Sequence, residues 1–134
     1  LVKLKVDQFQ FAYVHPMGNA WKNFKDVVPK ISNAAPCILK GLEIGLKNNI
    51  KVMVEGVPYC LTKGFEDNVA EKNIPNTEIK GKNHQNTLNY TKQRKELGKI
   101  KFPQCGQCRF DSICEGPWKE YPEIYGSEEF KPII

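Results

Sequence analysis

The chain has 134 residues, 40% of them hydrophobic and 26% charged, with a formal net charge of +5. That length supports one modest core, and that composition belongs to a folded domain and excludes a disordered chain. No apolar run approaches a membrane span and nothing resembles a signal peptide, so a cytoplasmic protein without a membrane partner is expected, and the scattered lysines (Lys3, Lys22, Lys80, Lys101 among them) read as a solvated face rather than a nucleic-acid footprint.

The chain opens on Leu1 and runs at once into an apolar-rich stretch, the pattern of a piece of a longer protein. Residues 1–14, LVKLKVDQFQFAYV, are predicted as strand, with a slip of phase near Asp7–Gln8 that calls for a bulge, a bend or a break. Apolar side chains fall on both faces toward its end, as in a strand buried on both sides. Pro16 and Gly18 then mark a loop at the strand's carboxyl end. Ligands of α/β folds gather at such ends, which makes His15, Met17 and Asn19 candidate lining residues of a reaction chamber.

A helix is predicted over 33–49, capped by Asn33, with Pro36 in its first turn and an apolar stripe of Ile38, Leu42 and Leu46; Asn48 and Asn49 end it. Residues 50–61 read as a second strand, whose ladder stops at Pro58. Strand, helix and strand in that order predict a parallel α/β unit. Glu55, at this strand's end, suits either a general base or a salt-bridge partner. A short helix is expected over 64–72 and a loop over 73–87, in which His84 is a solvated residue. Residues 85–97 have helix-forming composition with a thin apolar stripe, and Gly98 is a plausible stop. From residue 99 onward periodicity fades among prolines and glycines, so this tail needs a staple to hold it.

The staple is suggested by the cysteines. Cys105 and Cys108, with Gly106 between them, form a CxxC knuckle, and Cys114 follows within the same loop. A two-residue turn points both sulfurs one way, and a glycine-containing loop leaves backbone N–H groups free to donate to bound sulfur. Four thiolates complete either a zinc site or an iron–sulfur cluster. Cys60, in a loop after the second strand, is the preferred fourth ligand; Cys37, early in the helix, reads as a small buried hydrophobe. A disulfide network is disfavoured by the odd count of 5 cysteines and by the absence of any sign of secretion. A thioredoxin-like pair is disfavoured because the knuckle does not open a helix in a βαβ unit. Zinc ribbons pair two CxxC knuckles and this chain has one, which tilts the choice toward iron–sulfur. Arg109 and Lys119 flank the ligands as plain surface charges, and Trp118, Tyr121 and Tyr125 read as a hydrophobic anchor for the tail rather than a lid.

Three stretches carry a resemblance. KFPQCGQCRFDSICEGPWKEYPEIYGSEEFKPI (101–133) resembles the carboxyl-terminal tail of radical S-adenosylmethionine enzymes with SPASM or Twitch-like extensions. EGVPYCLTKGFEDNVAE (55–71) resembles the segment that carries the upstream cluster ligand, and FQFAYVHPMGNAWKNFKDVVP (9–29) the last strand of the partial barrel and the loop after it. The resemblance implies an α/β fold: residues 1–50 as the end of a partial (β/α) barrel, and residues 51–134 as a small irregular auxiliary-cluster domain. It implies an auxiliary [4Fe–4S] cluster on Cys60, Cys105, Cys108 and Cys114, serving electron transfer or structural support. It also implies a parent protein that uses S-adenosylmethionine, with the amino-terminal remainder of that protein as partner and a peptide or small molecule as substrate. The Cx3Cx2C motif that holds the catalytic cluster in this family does not occur in the sequence, so this stretch alone is expected not to cleave S-adenosylmethionine. A zinc-stabilised four-cysteine binding module is the alternative. The acidic surroundings of the tail's aromatics (Glu115, Glu120, Glu123, Glu128, Glu129) argue against nucleic acid as its partner.

Overall fold

Residues 1–81 and 86–134 are described by the structure, a computed structural model; His84 lies outside the described residues. Strand β1 (Gln8–Ala12) leads into two short helical turns, α1 (Asn19–Lys22) and α2 (Phe24–Val27), and then the long helix α3 (Ile31–Lys47). Strand β2 (Lys51–Glu55) returns beside β1 in parallel, from Gln8 opposite Lys51 to Ala12 opposite Glu55. The molecule is therefore mixed α/β around a two-stranded parallel sheet, with α3 as the crossover. No helix among the described residues is long and apolar enough to cross a membrane.

Only the second half of the stretch predicted as the first strand is strand. Val2–Leu4 forms a 3-10 turn whose end, Lys5, has a left-handed φ of 52°. The N–H groups of Leu4 and Lys5 bond back to Leu1 and Val2 rather than to a neighbouring strand. Alternation makes a strand only where a partner accepts its ladder. β1 is also covered on one face rather than two. Phe9 and Phe11 turn toward α3, while Gln8, Gln10 and Ala12 are exposed. On that polar face the Gln10 amide donates to Glu55 at 2.5 Å.

Helix α3 starts two residues before the expected cap. Lys30 takes the cap position, Asn33 falls inside the first turn, and Pro36 sits in the second, where it removes the bond to the Ser32 carbonyl. The predicted stripe also drifts. Residues four apart rotate by about 40° per step around a helix of 3.6 residues per turn, so Leu46 emerges into solvent. The buried positions are Ile31, Ala35, Leu42 and Gly45. Gly45 lets the helix lie directly on the sheet, because a Cβ there would meet the side chains of Val52 and Phe9. The helix ends in a Schellman motif: Ile50 N–H donates to the Gly45 carbonyl and Asn49 N–H to that of Leu46, each at 3.0 Å, with Asn49 left-handed at φ 56°.

Beyond β2 the chain is mostly turns. The short helix expected over 64–72 is two 3-10 turns, Glu66–Asn68 and Ala70–Asn73. They are split at Val69, which bridges to Val54 and closes the outer edge of β2. A two-residue antiparallel ladder joins β3 (Ile79–Lys80) to β4 (Asn86–Thr87). The helix expected over 85–97 begins at Tyr90: α4 (Tyr90–Gln93) is capped by the Asn89 side chain and runs into a π-helical turn, Arg94–Gly98. The tail, expected to be irregular, carries α5 (Tyr121–Tyr125). One apolar core collects Tyr13, Val28, Ile31 and Leu42 from the first part of the chain with Val54, Val69, Tyr121 and Phe130 from the second.

Candidate metal centre

Gly98–Lys101 and Pro117–Lys119 lie side by side. Ile100 N–H donates to the Pro117 carbonyl at 3.1 Å and Lys119 N–H to the Gly98 carbonyl at 3.0 Å. This neck closes a loop that contains Cys105, Cys108 and Cys114. Inside it Pro103–Gln107 forms a 3-10 turn, Cys108 N–H donates to the Cys105 carbonyl at 2.9 Å, and Cys114 N–H to the Phe110 carbonyl at 2.8 Å. The Lys101 ammonium ties the loop's far side by donating to both the carboxylate and the carbonyl oxygen of Asp111. Gly116 makes the exit from the loop: its φ is +78°, and the Ile100 carbonyl occupies the space a Cβ would need.

Cys60 reaches this loop from a separate 3-10 turn, Tyr59–Leu61, which follows β2. Tyr59 is buried and stacks on Phe110, centroids 4.8 Å apart, so an aromatic contact ties that turn to the cysteine loop. Cys60, Cys105, Cys108 and Cys114 line one largely apolar cavity together with Pro58, Phe102, Gly116, Phe130 and Pro132. Cys37 does not belong to it. It is exposed on α3, which corrects its reading as a buried hydrophobe: position 37 lies off the helix face that Ile31, Ala35, Leu42 and Gly45 bury against the sheet.

The cavity raises the cost of ionising Cys60 and Cys114 and brings backbone donors to the sulfurs. Burial pushes the Cys60 thiol up to about 12, and the thiols of Cys114, Cys105 and Cys108 add to the rise. Burial also pushes Cys114 up, opposed by the N–H groups of Tyr59 and Gly116. Phe102 N–H donates to Cys105 Sγ and Ile133 N–H to Cys108 Sγ, each at 3.5 Å. A thiol held up by burial gives its proton up readily when its sulfur binds a cation. Among the described residues no three His, Cys, Asp or Glu side chains are already placed to hold a metal ion.

The other candidates separate. His15 lies at the carboxyl end of β1, flat on Trp118 and 3.5 Å from the Glu120 carboxylate; burial lowers its basicity, partly offset by Glu120. Met17 and Asn19 are exposed. Arg109 pairs with Glu66 at 3.6 Å and lies over the Phe110 ring, and Lys119 is exposed. Trp118, Tyr121 and Tyr125 pack inward, with Tyr121 wholly buried.

Sequence reasoning missed the charged underside of the loop. Arg94 and Glu115 form a bidentate pair at 2.9 and 2.7 Å, with side chains 1% and 5% exposed. Lys99 and Glu71 form a single-contact ion pair at 3.5 Å, and the Lys99 ammonium lies 3.9 Å from the centre of the Trp118 ring. The thin apolar stripe over 85–97 is a sequence signal for Arg94, the residue that this segment buries, and nothing comparable marks Lys99 and Glu71. No protein-family model, curated protein or solved structure matches the chain.

Proposed function

We propose that this chain carries an auxiliary [4Fe–4S] cluster on Cys60, Cys105, Cys108 and Cys114, as the carboxyl-terminal part of a radical S-adenosylmethionine enzyme that works in the cytoplasm. The observation that carries the reading is the cavity: four of the five cysteines border it, one of them from far back in the chain, and the fifth stands apart. The donor set fits, since soft thiolates in a largely apolar, N–H-bearing pocket suit iron–sulfur.

A cluster with four protein thiolates supplies electron transfer and cross-linking, with no iron left open to substrate. This chain's own residues would do the rest. The four cysteines would hold the group, Phe102, Tyr59, Gly116 and Ile133 would donate N–H to sulfur, and Pro58, Phe130 and Pro132 would keep water away. A resemblance to the last barrel strand makes the amino-terminal remainder of the protein the partner of β1, whose edge away from β2 pairs with no strand among the described residues. The substrate, a peptide or small molecule, would meet the chain at the carboxyl ends of the strands, near His15, Met17 and Asn19.

The test is anaerobic purification followed by metal and sulfide analysis with visible and EPR spectra. About four irons and four sulfides per chain are expected, and a colourless protein with zinc refutes the cluster. Cys108→Ala is expected to lose iron and loosen residues 99–134, because metal binding and folding are linked. Cys37→Ala is expected to keep full iron. Equal iron loss from both would overturn the ligand set.

A further inference from the structure

The last residues of the chain return across the cysteine loop, although every proposed ligand lies before them. Phe130 is 2% exposed; it stacks on Phe102 with centroids 5.3 Å apart and meets Tyr121 edge-on at 5.8 Å. The Gln104 amide, next to Cys105, donates to the carbonyls of Ser127 and Phe130, each at 3.4 Å. Lys131 and Pro132 then line the cavity itself. Ile133 brackets Cys108: its N–H donates to Cys108 Sγ at 3.5 Å, and its carbonyl accepts the N–H of Arg109 at 2.8 Å.

Two physical consequences meet at that bracket. An N–H donated to a ligating sulfur withdraws electron density and favours the reduced, more negative cluster. A wall between sulfur and solvent slows attack on the iron and lowers the local dielectric. Neither effect is needed to assemble a four-cysteine site, and both are delivered by one short strap held at both of its ends.

We infer that residues 127–133 form a strap that sets the redox potential and the solvent shielding of the metal centre, with the Ile133 N–H as its positioning group on Cys108; this rests on the cluster reading above. Gln104 and Phe130 anchor the strap. Ile133 contributes through its backbone rather than its side chain.

The experiment uses the anaerobically loaded chain. Ile133→Pro removes the N–H and keeps the carbonyl that accepts from Arg109, while Ile133→Ala keeps both. Potentiometric titration is expected to give Ile133→Pro a more negative midpoint than wild type, with Ile133→Ala unchanged. Transfer of iron to bathophenanthroline is expected to be severalfold faster in Ile133→Pro. Gln104→Leu, which frees the strap and spares the Ile133 amide and all cysteines, is expected to speed iron transfer as well and carries the comparison if the proline variant does not load. A loaded wild type whose midpoint and transfer rate are matched by both Ile133→Pro and Gln104→Leu overturns this inference alone. A wild-type chain that takes up no iron overturns the cluster reading and this inference with it.

Discussion

The carboxylate of Glu129 accepts the backbone N–H of Ser32 at 3.0 Å, so the first turn of α3 is capped by a residue from the far end of the chain. Tyr121 completes the arrangement: its hydroxyl accepts the Ile31 N–H at 2.8 Å and donates to the other oxygen of Glu129. Tyr125 donates to the Val28 carbonyl at 2.8 Å, and Tyr13 to that of Pro29. Polar groups of the 28–32 turn are thus satisfied from β1's end and from the tail, with an anion at a helix amino terminus.

Tyr121→Phe is therefore expected to destabilise the protein by about 1–3 kcal/mol, the cost of stranding a buried donor and acceptor. Glu129→Gln is expected to cost less, about 0.3–1 kcal/mol, since an amide oxygen still accepts but the charge on the helix dipole is gone. Urea unfolding of the loaded protein measures both. A Tyr121→Phe variant as stable as wild type would remove the cap from the account.

Gly45→Ala reverses the ordinary rule for helices. Alanine in a helix interior gains up to about 1 kcal/mol over glycine, but here its Cβ would meet Val52 and the Phe9 ring, the nearest ring atom at 2.8 Å. Forcing α3 off the sheet is expected to cost about 1–3 kcal/mol, so the net change is a lower unfolding temperature. A higher one would mean that helix and sheet are not in that contact.

Lys99 and Glu71 share the interior with Trp118, and each lies in a position where burial opposes its charge: it lowers the Lys99 pKa and raises that of Glu71. Glu71 also accepts the Gly56 N–H at 2.7 Å. Lys99→Met or Glu71→Gln alone is expected to cost about 3–5 kcal/mol by leaving the other side of the pair stranded, and the double variant less than the sum. A double-mutant cycle reads the coupling. Strict additivity would show that the pair does not interact.

On the solvent face of α3, Lys47 and Lys40 hold the Glu43 carboxyl down to about 2, chiefly by hydrogen bonds of 2.6 and 2.9 Å. A carboxyl depressed in the folded state stabilises it above the ordinary carboxylate range, and the contribution fades as pH falls from about 4.5 through about 2. An NMR titration is expected to place Glu43 at the low end of the glutamates. Because the group is exposed, added salt is expected to move its midpoint upward. Glu43→Gln is expected to change stability little at neutral pH.

That the cysteines would gather was legible in residue types and spacing. A two-residue gap between Cys105 and Cys108 is short enough that local geometry alone gathers the sulfurs, and Cys114 belongs to the same loop. The choice of Cys60 over Cys37 followed from its place after a strand, and the structure seats only Cys60 in the cavity. Cys37's exposure follows from which face of α3 lies on the sheet, the one through Ile31, Ala35, Leu42 and Gly45. The start of the helix was not legible, because the groups that receive its first N–H donors, on Tyr121 and Glu129, are not near Ile31 in the sequence.

Local pattern by itself determined the strand–helix–strand core and the grouping of Cys105, Cys108 and Cys114, because both are encoded by neighbours a few residues apart: β-branched runs, a helical stripe, a CxxC turn. Tertiary structure alone decided the helix cap, the buried Lys99–Glu71 and Arg94–Glu115 pairs, and the return of Ile133 to Cys108. Each of these matches a polar group with a partner separated from it by 21 to 97 positions, and a chain specifies such pairings only once the apolar core has brought its distant segments together.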